Sequence, residues 1–300
     1  MSSVLTAYIV HCNIAVKYYM KKLILFTILL FSFAGVAEAK HKHKHKTVAH
    51  KQVKQKKKQS YISTNTSWIL MNVTDNAVVV DNFGDHKASI ASISKLMTVY
   101  TVLNANQNLD EILTVQTRLG NHTRLSPGMK LSREDLIKLA LIHSDNLAAH
   151  TLAENYPGGY DKFIYTMNSN AKNILMENTV FHDPTGLDAG NRSTMKDIIF
   201  LTNAASQFPI VREAAQSDKV VVSANKNKRK YVISARPTSD FFGKEGIVTI
   251  KTGFTNAAGF CITMLISKEN KLYNLVILGA RSSQERKRII ERSLSTIKYT

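Results

Sequence analysis

The sequence predicts an α+β domain: one antiparallel sheet assembled from both ends of the chain, with a helical lobe inserted between its halves. Two observations carry this. Short apolar runs bounded by turn residues lie at 68–81 and again at 247–279, and helical periodicities dominate the interval between them. No internal repeat breaks this order.

In chain order, residues 68–73 and 77–81 are split by Asp75-Asn76 and read as a β-hairpin. A helix begins near Ser92 and runs to about Asn104, with Ile93, Leu96, Met97 and Tyr100 on its buried side. Residues 113–129 are polar and loop-rich, with a Pro127-Gly128 turn. Ser132 and Asp135 resemble a capping box that opens a helix to about Ile142. Ser144-Asp145-Asn146 interrupts it, and a second helix runs to Asn155. After Pro157-Gly158-Gly159, residues 160–176 are amphipathic and helical, and 182–190 form a turn-rich loop. Ser193 is expected to cap a helix ending near Gln207. Residues 219–223 and 230–235 read as strands around a basic turn, and 247–251 as a strand ending in Lys-Thr-Gly. Residues 259–267 and 272–279 form a hairpin, and a charged amphipathic helix over 283–297 closes the chain.

Ser92-Ile93-Ser94-Lys95 places a serine and a lysine on one face of the first helix. A serine hydroxyl becomes an effective nucleophile when a base takes its proton, and a neutral amine can be that base. The pattern alone is weak, because it recurs at Ser193 to Lys196, Ser223 to Lys226 and Ser295 to Lys298. Ser144-Asp145-Asn146 has similar decoys, at Ser63 to Asn65 and Ser223 to Asn225. Lys251-Thr252-Gly253 occurs once. The bland readings are an N-cap for Ser92, a helix–helix turn for Ser144 to Asn146 and a strand-end surface lysine for Lys251.

The three motifs in this order are a signature of penicillin-binding proteins and class A β-lactamases. Residues 89–98, Tyr156-Pro157-Gly158-Gly159-Tyr160 and Asp183-Pro184-Thr185-Gly186-Leu187 further resemble the low-molecular-mass penicillin-binding proteins, the D-alanyl-D-alanine peptidase family. The resemblance runs from about 67 to about 297. It implies a five-stranded antiparallel sheet flanked by helices, with the site between sheet and lobe. It also implies acyl transfer on D-Ala-D-Ala peptides of peptidoglycan, inhibition by β-lactams, and no metal or other cofactor.

On this resemblance Ser92 is the nucleophile and Lys95 its base. Lys95 must then be less basic than an ordinary lysine, through burial and a like charge, for which Lys251 is the candidate. Ser144 is expected to relay a proton to the leaving amine, and Asn146 to bond the acyl amide. Lys251 and Thr252 are expected to hold a substrate carboxylate, while Gly253 lets its strand approach closely. The backbone N–H groups of Ser92 and Phe254 are the expected oxyanion hole. Ser94 stands where Thr is more usual, and His86-Lys87 where Arg is expected.

Two features separate family members. A class A β-lactamase needs a glutamate for its deacylating water, and neither Glu154 nor Glu177 has the right spacing. Only about 47 residues follow Gly253, without a second β-domain or an amphipathic anchor, which resembles the short endopeptidase branch. Carboxypeptidase activity, a β-lactamase and a non-catalytic cell-wall-binding protein remain alternatives.

Charge is uneven along the 300 residues: the net charge is +18, and 40–58 alone holds nine lysines and no acid. That Lys/His-rich stretch is expected to be a disordered linker to about residue 66, able to tether to acidic envelope polymers. It lacks aromatic interleaving, so nucleic acid is not an expected partner. Met20-Lys21-Lys22, an apolar run to Phe33 and Ala37-Glu38-Ala39 read as a secretory signal cut after Ala39, with Met20 as the true start. Cys12 leaves with it, and Cys261 is expected to be a small core residue.

Overall fold

The computed structural model describes residues 66–120 and 122–297. The expected leader, the Lys/His-rich stretch, Ser63 with Asn65, and Lys298 lie outside them. The hairpin β1 (Ser67–Asn72) and β2 (Ala77–Asn82) forms as its turn chemistry predicts. Asn72 Oδ1 accepts from the Thr74 and Asp75 amides, and Asn76 takes a positive φ. From the other end of the chain come β9 (Ile247–Thr255), β10 (Gly259–Lys268) and β11 (Lys271–Ala280). These five strands make one antiparallel sheet in the order β2-β1-β11-β10-β9, with Ile69 opposite Val276. The expected architecture is therefore present, and β9 is its last strand on one side.

Strands β10 and β11 are buried along nearly their whole length. Helices α5 (Met195–Ala205) and α7 (Ser283–Thr296) pack on them. A sheet covered in this way reads as continuous apolar runs rather than as alternation, which is what residues 260–266 and 272–280 show.

The sheet-forming strands over 220–235 do not join it. β7 (Val220–Lys226) and β8 (Arg229–Ala235) pair with each other, and with β4 (Ile112–Thr114) and β5 (Lys130–Ser132) they form a second sheet ordered β4-β5-β7-β8. β4 and β5 are three residues each, too short for alternation to reveal them in a polar stretch. A third pairing joins β3 (Ala88–Ser89) to β6 (Arg192–Ser193).

Helix α1 (Ser94–Asn104) follows a 3₁₀ turn over Ala91–Ile93. It is buried on almost every side, by Leu96, Met97, Val99 and Val102 but also by Ser94, Lys95, Thr98 and Thr101. Tyr100, expected on the buried face, is only half-buried. Such a helix is core rather than surface, and each of its polar groups needs a partner. Around it lie α2 (Arg133–Lys138), α3 (Asn146–Glu154), α4 (Gly159–Asn173) and the unforeseen α6 (Pro209–Ala215). Caps set their starts: Ser132 accepts from the Asp135 amide and Asp145 from Ala148. Thr194, not Ser193, caps α5 by accepting from Asp197, because Ser193 is already paired to Ala88 in the short ladder.

Candidate active site

Four segments meet around Ser92. The first is the 3₁₀ turn itself, where Ala91 has φ of 46°, a left-handed conformation that costs an alanine energy and needs external support. The second is the loop 183–187. Gly186, at φ of 80°, lies so close that a Cβ there would overlap the Ala91 carbonyl. The third is β9, where a Cβ on Gly253 would stand 2.9 Å from the Ser92 amide nitrogen. Glycine at both places is what lets two backbones close on the serine. The fourth is the Ser144 turn.

Lys95 lies three residues beyond Ser92 and is fully buried. Its Nζ is 2.8 Å from Ser92 Oγ, 2.7 Å from Asn146 Oδ1 and 2.6 Å from the Thr185 carbonyl. Two of these three partners are carbonyl oxygens, which can only accept. A neutral amine has two N–H donors and one lone pair. If the donors go to Asn146 and Thr185, the lone pair faces the Ser92 hydroxyl. Burial lowers the Lys95 pKa to about 7, against the opposing pull of Asp183 and then Asp145. Of the two expected causes, burial is the larger at Lys95. The repulsion between the two lysines acts on the pair and adds to the burial that holds Lys251 well below an ordinary lysine, with Arg286 contributing further.

Lys251 is also fully buried, and its Nζ donates to Ser144 Oγ at 2.8 Å and to the Thr252 carbonyl at 2.9 Å. Ser144 is left-handed, with φ of 61°, at the end of a π turn over Leu139–His143. Asp145 beside it is a structural residue: its carboxylate accepts from the Ala148 and Arg124 amides and from the Thr123 hydroxyl. Asn146 turns its Oδ1 to Lys95, which fixes the orientation of its amide. Thr252 Oγ1 lies 2.5 Å from Thr238 Oγ1. Phe254 is half exposed and its ring packs on Phe260 at 4.2 Å between centroids.

The structure thus brings Ser92, Lys95, Ser144, Asn146, Lys251, Thr252 and Gly253 to one place. The decoys disperse: Ser193 and Lys196 flank a cap, and Ser223 with Lys226 lies on β7. Cys261 is buried, its thiol pushed up to about 11 by desolvation. Glu154 is held by Thr117 and pairs with His150 at 3.4 Å, so it is committed elsewhere.

Sequence reasoning did not assign the frame behind these groups. Asp183 accepts from the Thr185 hydroxyl and the Gly186 amide, which shapes the loop that aims the Thr185 carbonyl at Lys95. Asn191 donates to Ser94 Oγ and to Asp183, tying that loop to α1. Thr98 donates to the Pro184 carbonyl at 2.6 Å. The run Asp183 to Leu187 was visible only as a resemblance; nothing in its spacing names a carbonyl as a ligand of a lysine.

This fold and this pairing of two buried lysines with two serines define a serine acyl-transfer site. Residues 51–282 match the peptidase S11 family, described as D-alanyl-D-alanine carboxypeptidase. Over 221 residues the chain is 38% identical to a D-alanyl-D-alanine endopeptidase of Escherichia coli, which covers 71% of each protein. A D-alanyl-D-alanine endopeptidase of Pseudomonas aeruginosa is 38% identical over 199 residues, 64% of this chain and 63% of that one. Penicillin-binding protein D2 of Listeria monocytogenes, solved in an ampicillin-bound form, is 28% identical with a TM-score of 0.66, over 79% of this chain and 98% of that one. The Streptomyces K15 DD-transpeptidase, 22% identical with a TM-score of 0.71 over 76% of this chain and 95% of that one, has the same fold. The chain belongs to the peptidase S11 family of serine D-alanyl-D-alanine peptidases.

Proposed function

We propose that the protein hydrolyses D-alanyl-D-alanine-type peptide bonds in peptidoglycan through an acyl-enzyme on Ser92, with cross-links as the preferred bond. The observation that carries this is Lys95: a buried amine with a pKa of about 7, 2.8 Å from a serine hydroxyl. At neutral pH a large fraction of it is uncharged and able to accept a proton, where an ordinary lysine is almost wholly charged.

Ser92 Oγ gives its proton to Lys95 Nζ and attacks the carbonyl carbon, forming an Oγ–C bond. The oxyanion receives the Ser92 and Phe254 amide N–H groups, each worth about 3–4 kcal/mol by analogy with other oxyanion holes. The C–N bond breaks, and the leaving amine takes the proton held by Lys95, relayed through Ser144, which leaves Lys95 neutral again. Lys251 sits behind Ser144 and orients its hydroxyl by donating to Oγ at 2.8 Å. Asn146 holds the acyl amide. Lys251 and Thr252 favour an anionic group, the substrate's carboxylate or that of a penicillin. Water then hydrolyses the ester and restores Ser92. Every proton is handled by side chains, so the scheme uses no metal.

The 38% identity to the endopeptidases of Escherichia coli and Pseudomonas aeruginosa supports the preference for cross-links. We further propose that the protein acts after export, cleaved near Ala39, with residues 40–58 contacting acidic envelope polymers.

The test is incubation of the mature protein with benzylpenicillin, followed by intact mass over time and peptide mapping. A long-lived adduct on the Ser92 peptide is expected. An adduct lost within seconds would make it a lactamase, and no adduct would remove the nucleophile. Cross-linked against uncross-linked muropeptides then decide the bond preference.

A further inference from the structure

Ser144 keeps a left-handed backbone, and Asn146 must present its side chain to Lys95; both come from one tight turn. Two histidines that the mechanism does not use stand against that turn. His143 immediately precedes Ser144, and its Nδ1 is 3.0 Å from the Arg236 carbonyl. His122 Nε2 is 2.7 Å from the His143 carbonyl. Carbonyls only accept, so both ring nitrogens must carry hydrogen. The rings stack, with centroids 4.8 Å apart and planes inclined by 24°. The His122 carbonyl in turn accepts from the Asn146 amide at 3.1 Å. On the far side, the Thr238 amide donates to the Ile142 carbonyl, and Thr238 Oγ1 meets Thr252 Oγ1. A continuous set of contacts therefore runs from Asn146 through both imidazoles to the segment 236–238 and on to Thr252.

We infer that His122 and His143 are a positioning pair that holds the Ser144 turn against the Thr252 strand, and that charging both rings releases it. Stacked neutral rings attract, whereas two imidazolium rings face to face repel. The surroundings sharpen this. Asp145 lies on the attractive side for a proton on His122; Lys95 and His143 oppose it. Across the cleft, Arg124, Lys219 and Arg236 outnumber Asp218 and Asp240. Burial is the largest cause that holds His122 below the usual histidine pKa, and it outweighs the hydrogen bond to the His143 carbonyl, which favours the charged ring. Where protons do reach both rings, Ser144 and Asn146 lose their backbone support.

The inference rests on the Ser92 acylation reading, but its signature differs. Protonation of Lys95 alone makes the logarithm of the acylation rate fall with a slope of one below about pH 7. Two further protons steepen it towards three. The experiment is the benzylpenicillin acylation rate of the full chain from pH 4.5 to 8. In the wild type the slope should exceed one on the acid side of the Lys95 limb. His122→Gln with His143→Asn keeps an N–H near each donor position without a titrating ring, and its slope should stay at one whatever its absolute rate. A wild-type slope of one throughout, or a steep limb retained in the double variant, overturns the inference. A readout without turnover is the imidazole ¹⁵N spectrum. It should show His122 as the Nε2–H tautomer and His143 as Nδ1–H, and His143→Asn should raise the His122 midpoint. Swapped tautomers or an unmoved midpoint overturn it as well. Failure of acylation at every pH, with these spectra as expected, strikes the peptidase reading alone.

Discussion

The site holds two serine–lysine pairs with the same 2.8 Å separation and the same burial of the amine, and they differ in their span along the chain and in the charges around them. Ser92 and Lys95 are three residues apart, one on the 3₁₀ turn and the other on α1, which continues it. Ser144 and Lys251 are 107 apart, one on the lobe and the other on the sheet edge. Asp183 and Asp145 pull Lys95 towards its charged form, and burial still brings it to about 7. Lys251 feels only cations besides its burial. Distance therefore does not define a base. The buried amine with acids nearby is tuned to exchange a proton near neutrality, and the one among cations is kept from charging and orients the hydroxyl next to it.

Breaking the first pair should have the largest effect. Ser92→Ala should leave no adduct on the mapped peptide while the protein stays folded, and Lys95→Ala should slow acylation by about 10³-fold. Retained labelling in Ser92→Ala would falsify the assignment. Next comes the support behind that pair. Gly186→Ala combines a positive φ with backbone overlap, and should cost about 2–4 kcal/mol in denaturant unfolding and reduce acylation with it. Wild-type stability there would mean that the loop does not press on Ala91. Breaking the second pair should be milder: Ser144→Ala should slow acylation by about 10²-fold, with Ser92 still labelled.

The smaller effects decide what tunes Lys95. If burial dominates, Lys251→Met should move the acid limb of acylation by less than about half a pH unit. An upward shift of about a unit or more would restore the like-charge explanation. The last prediction concerns stability. Unfolded, Lys95 is protonated up to its ordinary 10.5; folded, only to about 7. Between pH 7 and 9 the unfolded state therefore binds more protons, and stability should rise with pH. Above 9 the free thiol of unfolded Cys261, raised to about 11 when folded, works in the opposite direction. Denaturant midpoints flat from pH 7 to 9 would show Lys95 charged inside the fold.

The same contrast explains how much the sequence showed. Ser92 and Lys95 are legible because one helix turn brings them together, and the strands of the main sheet because their turns and apolar runs are strong. The Ser144–Lys251 contact has no local spacing and came only through a motif set. The second sheet escaped because β4 and β5 are three residues long and β5 meets β7 about 95 residues on. Asp183, Asn191 and the Thr185 carbonyl act through backbone geometry, which side-chain identity does not encode. The histidine pair was invisible because its rings meet across 21 residues of loop and helix.

The pairing of β1 with β11 joins residues 67–72 to 273–278. Closing a loop that long is slow, and no local contact rewards it until both ends arrive. The sheet cannot therefore be completed before nearly the whole chain has been made, and Lys251 and Gly253 reach Ser92 only through strands that depend on that closure. A chain stopped before β11 would carry Ser92 and Lys95 and lack the strand that joins β10 to β1.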